Sequence, residues 1–293
     1  MKEKTARLHM AVSMILFGTI GIFSRNTQAI TSGELALYRS ILALILLSLL
    51  YRWAHHKIPW RKHKKEVRIL ILSGIFMAIN WVLLFQAYRY TSIPVATLSY
   101  YFAPVIVTVA SPILFNEPLT KNQITCFLIA AVGLVFIINL RESGGTSNLI
   151  GVLYGLGAAV FYAAVILLNK CTKRLLGIDK TFIQFCAGLI ILVPYVLFFT
   201  GIHLHRLSFS GWISLLIIGF VLTGITYMFY FGSIRHLRGQ EIALLGYLDP
   251  LIACLLSLLI LHEAMTPLQV LGAGMILGST LYNEIVNKEM PGK

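Results

Sequence analysis

Asp249 falls near the middle of a stretch apolar enough to cross a bilayer, and Pro250 follows it directly. A charged carboxylate at such a depth costs roughly 2.5–3.5 kcal/mol, so it must face an interior cavity, be paired, or carry a proton. Two tasks suit such a group: holding a cationic part of a substrate, or carrying a proton. The structural alternative is a neutral acid bonded to broken backbone. Pro250 and Pro104 each remove a backbone hydrogen bond and free the carbonyl four residues earlier, those of Gly246 and Tyr100. Irregular backbone at membrane depth is tolerated only against protein or a water-lined cavity. Paired interruptions in corresponding spans point to a binding site; the blander alternative is a packing kink. Arg39 lies about one turn into another apolar stretch, five residues after Glu34. Its long side chain is expected to snorkel to the outer surface; the other possibilities are a partner inside the bundle or a substrate carboxylate.

Two further segments match each other. Asn116–Gln123 and His262–Gln269 each hold Thr-x-x-Gln before an apolar run, a capping box in which Thr120 and Thr266 are the N-caps and Gln123 and Gln269 reach back. Pro267 then takes the first helical position, where its missing N–H is harmless. Glu117 and Glu263 precede the caps, near the positive end of the following helix dipole. All six polar positions are expected to be structural, and Glu263 beside His262 does not make a metal site. Trp81, Tyr100, Tyr101, Phe102, Phe161, Tyr162, Tyr227, Phe229, Tyr230 and Tyr247, with Asn80, Thr226 and Asn169, could line a mostly apolar pocket with a few hydrogen-bonding groups. Packing and interfacial belts are expected to claim many of these rings, even most of them.

The elements that must position these residues are membrane helices. Of 293 residues, 58% are hydrophobic and 12% charged, about half the charge of a soluble domain. Ten stretches are read as spans: Leu8–Phe23, Leu35–Tyr51, Ile69–Tyr88, Pro94–Phe115, Ile124–Leu140, Leu149–Asn169, Thr181–Thr200, Trp212–Ile234, Ile242–Leu261 and Leu268–Ile285. The first stands behind basic residues like a signal peptide, but it is long for one and no small-residue cleavage site follows it. Gly151-x-x-x-Gly155 and Gly274-x-x-x-Gly278 permit close helix contact.

The net charge of +13 does not signal nucleic-acid binding, because of where it sits. With the N-terminus in the cytoplasm, 19 of the 24 Lys and Arg fall in cytoplasmic segments and four (Arg25, Arg89, Arg141, Arg206) in outer loops. That is the bias expected of membrane topology, with both termini inside. The four cysteines have no paired spacing, so neither a disulfide framework nor a zinc site is indicated. No phosphate loop, nucleophile elbow or His-Glu-x-x-His appears, so no cofactor, metal or catalytic group is expected.

Sliding the chain by 146 positions brings Tyr101, Pro104, Ser111, Glu117, Thr120 and Gln123 onto Tyr247, Pro250, Ser257, Glu263, Thr266 and Gln269. At an offset of 145, Arg25 meets Lys170 and Glu34 meets Asp179. The reading is a duplicated five-span unit, residues 1–145 and 146–293, meeting near Glu142–Ser147. Five is odd, so the second unit enters from the opposite side, the inverted repeat of secondary transporters. The fold class expected is therefore an all-α integral membrane protein of ten transmembrane helices in two inverted five-helix repeats.

These residues resemble the drug/metabolite transporter superfamily, specifically its EamA-type ten-span exporters. The resemblance covers essentially the whole chain. It rests on Phe17-Gly18, where that family often has Trp-Gly; on Arg39 followed by Ala43; on Pro104 with Glu117, Gln123 and Gly133; and on Asp249-Pro250 with Glu263, Gln269 and Gly272. Asp249-Pro250 stands where Glu-Pro is frequent. The resemblance implies export of amino acids, related metabolites or drugs across the plasma membrane, through a central cavity by alternating access. Asn80, Trp81, Tyr101, Tyr162, Tyr227, Tyr247 and Asp249 are the residues expected to line that cavity. The partners implied are a small-molecule substrate and the lipid bilayer; monomer and homodimer remain equal alternatives. The competing classes are an intramembrane enzyme, which needs polar catalytic groups that these short loops lack, and a lipid flippase or accessory protein acting on lipid-linked substrates.

Overall fold

The computed structural model describes residues 3–53, 58, 60, 62–115, 120–138, 146–172, 174–175, 177–234, 236–237, 242 and 245–289. Glu117 and residues 142–145, between the two expected repeats, lie outside them. Regular structure among the described residues is entirely helical. Seven helical stretches are long and apolar enough to cross a membrane: Glu3–Arg25, Ser32–Trp53, Lys64–Tyr90, Ile93–Ala110, Ser147–Lys170, Gly177–Thr200 and Phe209–Tyr230. Lys121–Ile137 and Leu248–Ile260 are shorter apolar helices.

In chain order the helices are α1 (Glu3–Arg25), α2 (Ser32–Trp53), α3 (Lys64–Tyr90), α4 (Ile93–Tyr100), α5 (Ala103–Phe115), α6 (Lys121–Ile138), α7 (Thr146–Lys170), α8 (Gly177–Tyr195), α9 (Phe209–Leu216), α10 (Thr226–Ile234), α11 (Leu248–Ile260) and α12 (Pro267–Glu289). Two π-helical stretches interrupt this regularity. Val196–Thr200 prolongs α8 and stops at Gly201, whose φ of 76° suits a residue without a side chain. Ile217–Ile225 joins α9 to α10.

The apolar residues divide between two solvents. Phe198 and Phe199 are 82% and 81% exposed and face outward, as do Leu49, Leu128 and Leu259; a lipid surface accepts them without the penalty water would impose. Inside, α3 packs along α7 and α8, α1 along α10 and α11, and α2 along α8 and the Ile217–Ile225 stretch. α6 lies against α12, where Gly133 and Gly272 each face the other's carbonyl. Gly151 and Gly155 abut Thr91, Ala96 and Ser99, so this small-residue pair works within the chain. Gly274 and Gly278 meet nothing within 4 Å among the described residues.

Candidate functional site

The expected break in the fourth apolar stretch is real, but Pro104 does not kink a helix from within. α4 ends at Tyr100, Tyr101 and Phe102 form a turn, and Pro104 is the second residue of α5. Pro250 is likewise the third residue of α11, after a turn at Tyr247. The corrected account is that both prolines start helices, because in a first turn the missing N–H has no partner to lose. The two breaks meet. The Tyr101 hydroxyl lies 2.7 Å from Asp249 Oδ2 and 3.3 Å from the Gly246 carbonyl oxygen. One hydroxyl proton serves one acceptor at a time, and the shorter approach to the carboxyl is the stronger bond. α1 closes against the same point: a Cβ on Gly18 would stand 2.6 Å from the Asp249 carbonyl oxygen, so only glycine allows this approach.

Aromatic rings extend from this pair. Tyr100 stacks on Tyr162 at 5.0 Å and meets Tyr101 edge-on at 6.0 Å. Tyr227 touches Phe17 at 5.2 Å and Phe185 at 5.4 Å, and Phe185 continues to Trp81 at 5.2 Å. Asn80 is buried and donates to the Ala158 carbonyl at 2.7 Å. Tyr101, Tyr162, Tyr227, Tyr247 and Asp249 keep partial exposure although they lie among the helices. Tyr247 is the N-cap residue of α11. Three candidates sit elsewhere. Asn169 bonds Ser73 where α3, α7 and α8 meet, Phe161 packs on Phe76, and Phe229 stacks on His9.

Arg39 departs from expectation. It is 3% exposed and does not snorkel. Its guanidinium lies 4.5 Å from the centre of the Trp81 ring and 5.3 Å from that of Phe85, and Nε donates to Thr223 Oγ1 at 3.1 Å. Helix α2 lies close against the Ile217–Ile225 stretch, which draws the arginine inward: Gly219 and Gly224 rest on Leu42 and Leu46.

The polar pair Thr-x-x-Gln forms reciprocal caps twice. Thr120 N–H donates to Gln123 Oε1 at 2.8 Å and Gln123 N–H to Thr120 Oγ1 at 3.3 Å. Thr266 and Gln269 repeat the exchange at 3.0 and 3.3 Å. Glu263 serves a different helix from the one expected. Its Oε2 accepts from the Ile93 N–H at 2.8 Å, capping α4, and from Ser257 Oγ at 2.7 Å, while Oε1 pairs with Arg25. Arg25 also donates to the Tyr88 and Thr91 carbonyls. The reason is local: His262 takes φ 55°, so Glu263 N–H bonds back to the Ser257 carbonyl at 3.2 Å and the chain turns toward α4.

Sequence reading named Glu34 but missed its capping partnership with Thr31, although Thr31-Ser32-Gly33-Glu34 has the capping-box spacing. Thr31 N–H donates to Glu34 Oε2 at 2.9 Å and Glu34 N–H to Thr31 Oγ1 at 3.2 Å. The fully buried Glu34 carboxylate also accepts from the His203 N–H at 2.5 Å and lies 3.0 Å from its Nδ1. At the other end of α2, Tyr51 donates to Asp179 at 2.7 Å in the first turn of α8.

Comparison with known proteins accords with this geometry. A model of the EamA-like transporter family matches residues 5–139 and again residues 149–283. The chain is 31% identical over 258 residues to the uncharacterized transporter YxxF of Bacillus subtilis (strain 168), covering 87% of this chain and 82% of that protein. An uncharacterized transporter of Archaeoglobus fulgidus is 24% identical over 275 residues, covering 93% of each. A solved crystal structure shares the fold, with a TM-score of 0.67 at 17% identity over 99% of both chains. Helices that can cross a bilayer, broken and capped around a partly exposed acid, thus occur in a chain matched twice along its length: it belongs to the EamA-like transporter family and is a multi-pass membrane transporter.

Proposed function

We propose that the protein is a secondary transporter that exports small organic solutes, amino acids or related metabolites or drugs, across the plasma membrane by alternating access. The observation that carries this reading is the Tyr101–Asp249 bond, made where two helix breaks meet among partly exposed rings. A lone carboxyl beside broken backbone can take a cationic group or a proton in turn, and the surrounding rings accept an apolar body. In this reading Asn80, Trp81, Tyr101, Tyr162, Tyr227, Tyr247 and Asp249 line the substrate path, Pro104 and Pro250 restart its helices, and Thr120, Gln123, Glu263, Thr266 and Gln269 hold the frame, with Glu117 in the corresponding place by sequence.

The proposed architecture is ten spans in two inverted five-helix repeats, residues 1–145 and 146–293, with both termini in the cytoplasm. The double family match supports it. So does the packing: α1 on α11 has its counterpart in α7 on α4 and α5, and α2 on the α9–α10 segment has its counterpart in α8 on α3. Inverted repeats rock against each other around a shared site. No ATP-binding motif is present in the sequence, so solute or ion gradients drive the cycle. Export from an overexpressing strain, screened against a panel of labelled amino acids and amphipathic amines, tests the assignment. Faster efflux of at least one solute than from the empty-vector strain is the expected result, and none across the panel would refute it.

A further inference from the structure

Arg39 has an unspent charge. Its side chain is 97% buried in a helix read as a membrane span, where an ion lacking a counter-ion is expensive to keep. No carboxylate lies within 4 Å of it among the described residues, and Nε, held by Thr223, is its one hydrogen-bonding nitrogen there. Its two terminal nitrogens therefore have donor capacity that the described residues do not use. The ring face of Trp81 compensates part of the charge without occupying those donors. Glu34, on the same helix, is committed to Thr31 and His203 instead.

The helix opposite is built to hold the guanidinium in place. Within the π-helical stretch Ile217–Ile225 the Thr223 hydroxyl donates to the Ile218 carbonyl at 2.6 Å, so its lone pairs face Arg39. Thr226 repeats the pattern just beyond it, bonding the Val221 carbonyl at 2.9 Å. π-Helical turns cost regular hydrogen bonding and are frequent at functional sites. The rings on both sides share one core: Trp81 and Phe85, which face Arg39, belong to the cluster against which Tyr100, Tyr162 and Tyr227 pack.

We propose that Arg39 is an anion-binding residue of the substrate path: its two free terminal nitrogens receive a carboxylate, while Asp249 receives a cationic group of the same solute. The planar guanidinium fork matches a carboxylate with two parallel hydrogen bonds, which an amide of the same shape cannot reproduce. The inference rests on the reading of the Tyr101–Asp249 cluster as the substrate site and adds the residue that meets the solute's carboxylate.

Thermal unfolding of the full-length protein in detergent tests it with matched acid and amide probes at constant ionic strength. The acids are acetate, benzoate, phenylacetate, L-leucine and L-phenylalanine; the partners are acetamide, benzamide, phenylacetamide, L-leucinamide and L-phenylalaninamide. At least one acid is expected to bind the wild type roughly tenfold more tightly than its amide. Arg39→Gln should erase that preference and Asp249→Asn should leave it for the acids that lack an amine. Equal binding of every acid and its amide, or an acid preference that survives Arg39→Gln, overturns the proposal. Should Arg39→Gln not fold, Arg39→Lys decides: losing the fork should weaken acid binding several-fold, and undiminished acid binding overturns the proposal. Solute flux in proteoliposomes separates the two readings, since flux without any acid preference removes only the Arg39 assignment, whereas no flux at all removes the transporter site.

Discussion

The Asp249 carboxyl and the Tyr101 hydroxyl are 2.7 Å apart, and their partnership explains how an acid is tolerated among apolar helices. The hydroxyl can donate to a carboxylate, or turn to the Gly246 carbonyl 3.3 Å away when a substrate cation or a proton takes the acid. Asp249→Asn keeps the size and one acceptor while removing the charge, so the fold should persist. Transport is expected to slow by about tenfold or more and to lose its dependence on pH. An Asn variant with normal rate and unchanged pH profile would mean that Asp249 only caps broken backbone. Asp249 was legible in the sequence because a lone carboxylate beside proline violates the apolar pattern around it. The buried place of Arg39 was not, since snorkelling and burial look alike until the facing helix is known. The same holds for the Arg25–Glu263 pair, whose members are 238 positions apart.

At the scale of elements, the turn after α11 matters more than its short length suggests. His262 adopts a left-handed conformation that a residue with a side chain reaches at a cost of about 1–2 kcal/mol. That turn delivers Glu263 to the N-terminus of α4, where it bonds the Ile93 N–H and Arg25. His262→Gly should relieve the strain and raise stability by roughly 1 kcal/mol, read as a higher unfolding temperature with transport intact. A destabilised glycine variant would show that the imidazole itself is needed. The two Thr-x-x-Gln boxes were legible because they act through local backbone geometry, whereas the sequence marked the breaks at Pro104 and Pro250 without showing that each proline begins the helix after its break. The π-helical Ile217–Ile225 stretch was not, because an inserted residue in an apolar helix leaves no compositional trace.

At the scale of the molecule, ties gather at the end that holds Arg25, Thr91 and Asn148. Arg25 joins α1 to Glu263 and the end of α3; Thr91 bonds Asn148; Ser147 donates to the Tyr90 carbonyl at 2.9 Å. In the proposed orientation this end is external, and these bonds join α1 and α3 to α7 and to the turn before α12. In the proposed alternating-access cycle, opening outward breaks them. In a background without native cysteines, a disulfide between Thr91→Cys and Asn148→Cys should therefore arrest transport until it is reduced, and undiminished transport by the cross-linked protein would argue against rocking at this end. The internal offset of 146 was visible in the sequence because its matched residues are polar and aromatic, whereas the aliphatic remainder matches itself everywhere. The central claim is that solute crosses between the helices at Asp249, and counterflow in proteoliposomes addresses it most directly. Vesicles preloaded with an exported solute should accumulate labelled external solute with wild-type protein and do so at about a tenth of that rate or less with Asp249→Asn. Wild-type vesicles that take up no more label than protein-free ones, or an Asn variant that exchanges at the wild-type rate, would contradict it.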